Sequence, residues 1–140
     1  MSIFFSFLYM SRPKKTPQYP PDDGPLTKTQ LTQIRNSVSR AKKIPSSFKL
    51  GAYEIKVIRM NGEEIEKKCG NVYGLFDPGN LTIYLMNPDK TTKSAVLYQT
   101  FWHEYAHAML WVADPKRYQN EKLVESLGHL LAQFHNTSEY

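Results

Sequence analysis

His103, Glu104 and His107 stand in the pentapeptide His103-Glu104-Tyr105-Ala106-His107, an H-E-x-x-H spacing inside a stretch that reads as helix. Two histidines four residues apart lie one above the other on a single helical face, so both imidazoles can reach one metal ion. The glutamate beside the first histidine stands close enough to take a proton from a metal-activated water. Helical histidines are more often surface or core residues than ligands, so the reading needs a third donor.

A catalytic zinc site usually has three protein ligands and one open position. After His107 the apolar run continues to Ala113 and breaks at Asp114-Pro115, and no glycine occurs before Gly128, so a metzincin-type third histidine is absent. The remaining donor must come from the next helical stretch, where the candidates are Glu121, Glu125, His129 and His135. Leu123, Leu127, Leu130 and Phe134 form one apolar face of that helix, while Glu121, Val124, Glu125 and Gly128 share another. Glycine in mid-helix costs about 1 kcal/mol against alanine, so Gly128 implies close packing, with the metal helix the expected neighbour. Two acids one turn apart allow a division of labour. Glu121 is assigned to the metal and Glu125 to orienting a ligand histidine through its second ring N–H. His129 and His135 are read as ordinary helical residues.

The segments 100–110 (Thr-Phe-Trp-His-Glu-Tyr-Ala-His-Ala-Met-Leu) and 120–127 (Asn-Glu-Lys-Leu-Val-Glu-Ser-Leu) make the last 90 or so residues resemble a minimal gluzincin. They look similar to ImmA/IrrE-type metallopeptidases of mobile elements and small phage-encoded relatives. The second segment resembles the Asn-Glu-x-x-Ser/Ala-Asp stretch of thermolysin-like enzymes, whose first acid binds zinc and whose second supports a ligand histidine. Those roles fall on Glu121 and Glu125, with Glu125 standing where the family carries Asp. The helix-turn-helix module of some ImmA/IrrE proteins is not read in these residues, which leaves the substrate open.

The positioning elements come from the remainder. At 140 residues and 41% apolar content the chain fits one globular domain of modest core, and no run approaches about 18 apolar residues. The lone Cys69 excludes an internal disulfide and a cysteine-based zinc cluster, and favours a reducing, cytoplasmic setting. Residues 1–10 are apolar with the basic residues after them, the reverse of a secretory signal. Residues 11–25 hold five prolines and read as a disordered tether, so residues 1–25 are set apart from a domain spanning 26–140.

Leu31, Ile34, Val38 and Ala41 predict an amphipathic helix from about residue 27, ended by Pro45. Strands are expected at 52–60, 71–76 and 81–86, with Asn61-Gly62 as a hairpin-type turn and the polar residues 63–68 ambiguous. Asp77-Pro78-Gly79-Asn80 suits a type II turn, and the metal helix should begin at Ser94 after a polar loop. The predicted order is helix, three strands in an antiparallel or mixed sheet, metal helix, ligand helix: an α+β domain, zincin-like by resemblance. That resemblance also implies that the strand at 81–86 lies along the cleft, where an exposed edge could pair with an extended substrate. The plainer reading makes it a core hairpin strand.

Residues 1–50 carry 9 Lys and Arg against 2 Asp, whereas residues 51–140 carry 9 against 11 acids. Arg35, Arg40, Lys42 and Lys43 therefore form a solvated basic face or a contact for nucleic acid or another acidic partner, the solvated face being the commoner outcome. The expected activity is zinc-dependent hydrolysis of a peptide or protein substrate, a regulatory protein among the candidates. His103, His107 and Glu121 would hold one zinc, Glu104 would be general base, and Tyr118, or else Tyr98 or Tyr105, would stabilise the oxyanion. The alternatives are a non-catalytic zincin shell that binds a protein or nucleic acid, and a metal-stabilised structural domain.

Overall fold

Ser47–Leu50 alternates exposed and half-buried residues and forms β1, which a two-residue turn at Gly51-Ala52 joins to β2, Tyr53–Met60. Gly51 has φ 56, the positive value that a glycine-first hairpin turn requires at its first central position. The computed structural model describes Pro25, residues 27–32, Arg35 and residues 44–139. Residues 28–32 and Arg35 are helical, as expected, but Leu31 of the expected apolar face is 51% exposed, while Ile34, Val38 and Ala41 lie outside the described residues, as do residues 1–24.

Asn61-Gly62 is not a hairpin turn. Asn61 caps α1, Gly62–Cys69: its side chain accepts from Glu64 N at 2.9 Å and Glu64 Oε2 accepts from Asn61 N at 3.0 Å. This reciprocal capping satisfies two of the donors a helix start leaves unpaired, and the polar stretch after it becomes helical with Ile65 as its buried residue. β3, Gly74–Asp77, and β4, Thr82–Met86, follow. The turn between them is not type II, because Gly79 does not take a positive φ. The Asp77 carboxylate accepts from the Gly79 and Asn80 amides, and Leu81 takes the left-handed conformation at φ 49.

The sheet is mixed and four-stranded, one strand more than the sequence indicated, in the order β1-β2-β4-β3. β2 and β4 run parallel with α1 in the crossover, whereas β1 and β3 pair antiparallel to their neighbours. β4 is therefore central and cannot offer a free edge; β3 is the edge on that side. All five residues of β4 are buried because both sheet faces are covered. Ile83 and Leu85 join Ile55, Val57 and Phe76 beneath Leu97, Phe101 and Ala108 of α2, Ser94–Ala113, while Tyr84 and Met86 pack on Ile65 of α1. Complete burial of each such side chain contributes about 1.5–3 kcal/mol. α3, Glu121–Thr137, returns antiparallel along α2, and its buried residues are Val124, Gly128 and Ala132. The leucine face splits: Leu123 and Leu127 are half-buried and pack beside Ala106, Leu110 and Val124, whereas Leu130 is 61% and Phe134 58% exposed. Among the described residues no helix is long and apolar enough to cross a membrane.

Candidate metal centre

α2 presents His103 and His107 one turn apart with ring centroids separated by 5.0 Å, both buried where α2 meets α3. Asn120 fixes the opposite wall: its side chain caps α3 by accepting from Leu123 N, which makes Glu121 the first helical residue. Between the helices the chain turns on the Arg117 N to Asp114 O and Asn120 N to Arg117 O bonds. Glu121 Oε2 then lies 3.2 Å from His103 Nε2, and Oε1 lies 3.0 Å from His107 Nε2. One donor atom from each of the three residues lies within 4.8 Å of the others.

The second nitrogen of His107 is committed elsewhere. Nδ1–H donates to the backbone carbonyl of Tyr118, which turns Nε2 toward Glu121. Burial alone would pull the His107 imidazole pKa down. The hydrogen bond to Glu121, the charges of Glu104 and Glu121 and the Tyr118 carbonyl outweigh it, so the pKa is raised. Glu104 is 2% exposed, and its Oε2 accepts from the Phe76 amide of edge strand β3 at 2.8 Å. The helix carrying the histidines is thereby tied to the sheet edge through the glutamate between them.

Gly128 explains how α3 comes so near. A Cβ there would meet His103 Cα at 3.1 Å and His103 N at 3.3 Å, so the helices touch backbone to backbone beside the first histidine. Glu121 is two turns back on the same face, at the level of the imidazole tips.

The other candidates are placed as follows. Glu125 Oε1 is 3.7 Å from His129 Nε2, one turn along α3. The Tyr118 hydroxyl accepts from Gln119 Nε2 at 2.9 Å, so the Tyr118 contact given to the histidine pair is its carbonyl. Tyr98 and Tyr105 line an aromatic groove on another face of α2, and His135 stacks on Trp102 at 4.3 Å. Burial pushes the Cys69 thiol pKa up, which suits an unreactive side chain. The Phe76 amide and the Tyr118 carbonyl are contributions that reading residue types does not reveal, because any residue supplies them.

The donor set could hold a metal ion such as zinc. Two atoms each about 2.1 Å from a tetrahedral centre stand about 3.4 Å apart, close to the observed 3.0 and 3.2 Å separations between Glu121 and the histidines. Two imidazoles and one carboxylate, with one imidazole steered by a carbonyl, are also the ligand chemistry and outer support that zinc favours. Comparison with known proteins finds no matching family model, no similar curated protein and no similar solved structure.

Proposed function

We propose that the protein is a zinc-dependent peptidase with a zincin-like arrangement, its metal held by His103, His107 and Glu121. The observation that carries this reading is the convergence of two buried histidines and the half-buried Glu121 beside a fourth side chain, Glu104, anchored to the sheet edge. Zinc bound there would supply a Lewis acid that activates a water and polarises a scissile carbonyl.

The chain's own groups account for the other requirements. Phe76 N–H holds Glu104 Oε2, leaving Oε1 to take a proton from the attacking water and return it to the departing amide nitrogen. Phe76 pairs with Ile83 across β3 and β4, yet its amide is turned away from β4 toward Glu104, so the outer side of β3 borders the catalytic carboxylate. An extended peptide would add to that edge as another strand. β3 thus takes the part that resemblance had given to the strand at 81–86. Glu125 is assigned the support of a ligand histidine, and Tyr118 is the candidate donor to the oxyanion.

Glu104→Gln tests the reading, because the amide keeps its size but takes no proton. The variant should retain zinc while cleavage of a peptide library falls by about 10²-fold or more. Equal cleavage by both proteins would remove Glu104 from the chemistry. Zinc retention with no cleavage by the parent protein would favour the non-catalytic binding shell.

A further inference from the structure

β3 and α2 meet at two rungs. At one, the Phe76 amide donates to Glu104 Oε2 at 2.8 Å. At the other, two residues earlier on the strand and four earlier on the helix, Gly74 faces Thr100. Two residues advance a strand by about 6.8 Å and four advance a helix by about 6 Å, so the rungs stay in step. Gly74 and Phe76 also lie on one face of β3. The spacing fixed at the Gly74 rung therefore carries to the Glu104 rung.

The contact at Gly74 admits no side chain. A Cβ there would lie 2.5 Å from Thr100 Cγ2, 3.0 Å from the Tyr84 carbonyl oxygen and 3.1 Å from Leu85 Cδ2. The helix blocks one direction and β4 the other, so β3 is clasped between them. Gly74 does not take a positive φ, so its backbone conformation makes no demand for glycine. Glycine within a strand weakens it, and here the close approach of α2 is what requires it.

Thr100 is fully buried, and its Oγ1 has no hydrogen-bond partner among the described residues. A helical threonine can bond the carbonyl one turn back, and this hydroxyl makes no such bond. What the side chain brings to Gly74 is its methyl group. Branching at Cβ restricts the rotation of that methyl, which makes it a fixed stop for the strand.

We propose that Gly74 and Thr100 are positioning residues for Glu104: their contact holds β3 at the distance from α2 at which the Phe76 amide reaches the carboxylate. Neither is a metal-ligand candidate. With Oε2 held, Oε1 keeps a fixed place, and a displacement of about 1 Å in such a group can cost about 10²-fold in rate. That kinetic consequence rests on the peptidase reading, whereas the placement of the carboxylate does not.

Amide-proton nuclear magnetic resonance of the full chain tests the placement. In Gly74→Ala the Phe76 amide should exchange about tenfold faster or more, the loss of one hydrogen bond to a charged acceptor. That change should exceed any at the amides pairing β2 with β4, which report global stability. Thr100→Val keeps the methyl, drops the unbonded hydroxyl and should leave the Phe76 amide as in the parent. Thr100→Ser removes the methyl without any clash and should loosen the same amide by a smaller factor, so the proposal stands or falls even if Gly74→Ala does not fold. Gly74→Ala/Thr100→Ser takes away the methyl that the new Cβ would strike and should recover much of the protection. With zinc bound, Gly74→Ala should keep its metal content and KM while kcat for a cleaved peptide falls by about 10- to 10²-fold. A Phe76 amide that is indifferent to Gly74→Ala and Thr100→Ser, or that moves only in proportion to the β2–β4 amides, would overturn the proposal. So would a double variant no better protected than Gly74→Ala. A parent protein that cleaves no peptide would overturn the peptidase reading, with the Phe76 amide still deciding the positioning.

Discussion

Gly128 lies against the backbone of His103: a Cβ at position 128 would stand 3.1 Å from His103 Cα. That approach sets the spacing of α2 and α3, and through it the reach of Glu121, seven residues earlier, to both imidazoles. Val124, between them on the same face, is fully buried and packs with Ala106 and Leu110, so the interface is closed between the acid and the glycine.

Gly128→Ala should therefore destabilise the protein although alanine is the better helix former. The gain in helix propensity is about 1 kcal/mol, while overpacking a fixed contact typically costs about 1–3 kcal/mol. The atoms in the way are backbone atoms of a buried helix and yield little. Thermal unfolding of the metal-free protein should show a lower midpoint, and chelator competition a weaker zinc affinity. A more stable, equally zinc-binding Gly128→Ala protein would show that α3 can move without disturbing Glu121.

Removal of any one of His103, His107 and Glu121 by alanine should abolish most zinc binding, since two donors hold the ion poorly. Glu125→Ala should lower affinity by about 10- to 100-fold, the range for a residue that supports a ligand. Metal content by mass spectrometry and competition with a zinc dye would measure both. An affinity unchanged in Glu125→Ala would leave that acid as the partner of His129 alone, 3.7 Å away.

The pairing of His103 with His107 was legible from helical periodicity, and the break at Asp114-Pro115 showed that a third donor must return on the next helix; Glu121 was chosen there over Glu125, which shares its face. Gly128 was legible for the same reason. Its role as a close-packing point is what its cost in mid-helix implied. β1 was missed because Ser47–Leu50 is short and its half-buried Phe48 and Leu50 signal weakly. The sequence Asn61-Gly62 fits a hairpin turn as well as a helix start, and Glu64 decided for the helix by closing the capping pair. The edge position of β3 could not be read from its residues, because strand order depends on the crossover through α1.

Asn61→Ala tests that capping pair. Losing it should cost about 1 kcal/mol of stability, with α1 fraying from its start. Because Ile65 seats α1 on Tyr84 and Met86, the effect should appear in global unfolding rather than in local helix content alone. Denaturant titration would measure it, and Asn61→Asp, which keeps an accepting side-chain oxygen, should recover most of the loss.

Proton and zinc should compete at His107, with opposite consequences for stability. In the metal-free protein its pKa is raised above the ordinary value of 6.5 by Glu121, Glu104 and the Tyr118 carbonyl, against the opposing effect of burial. A folded pKa above the unfolded one means that the folded state binds the proton more tightly. The His107 contribution is therefore fully present below about pH 6.5 and is lost as pH rises through the raised value. Zinc requires the neutral imidazole, so the stabilisation it adds should grow over the same interval. Denaturant titrations from about pH 5.5 to 9 should show the metal-free protein losing stability with rising pH relative to His107→Gln. Midpoints with saturating zinc should rise above those without it by a margin that widens with pH. A metal-free difference between parent and His107→Gln that does not change with pH would show that the cluster around Glu121 does not hold a proton on His107.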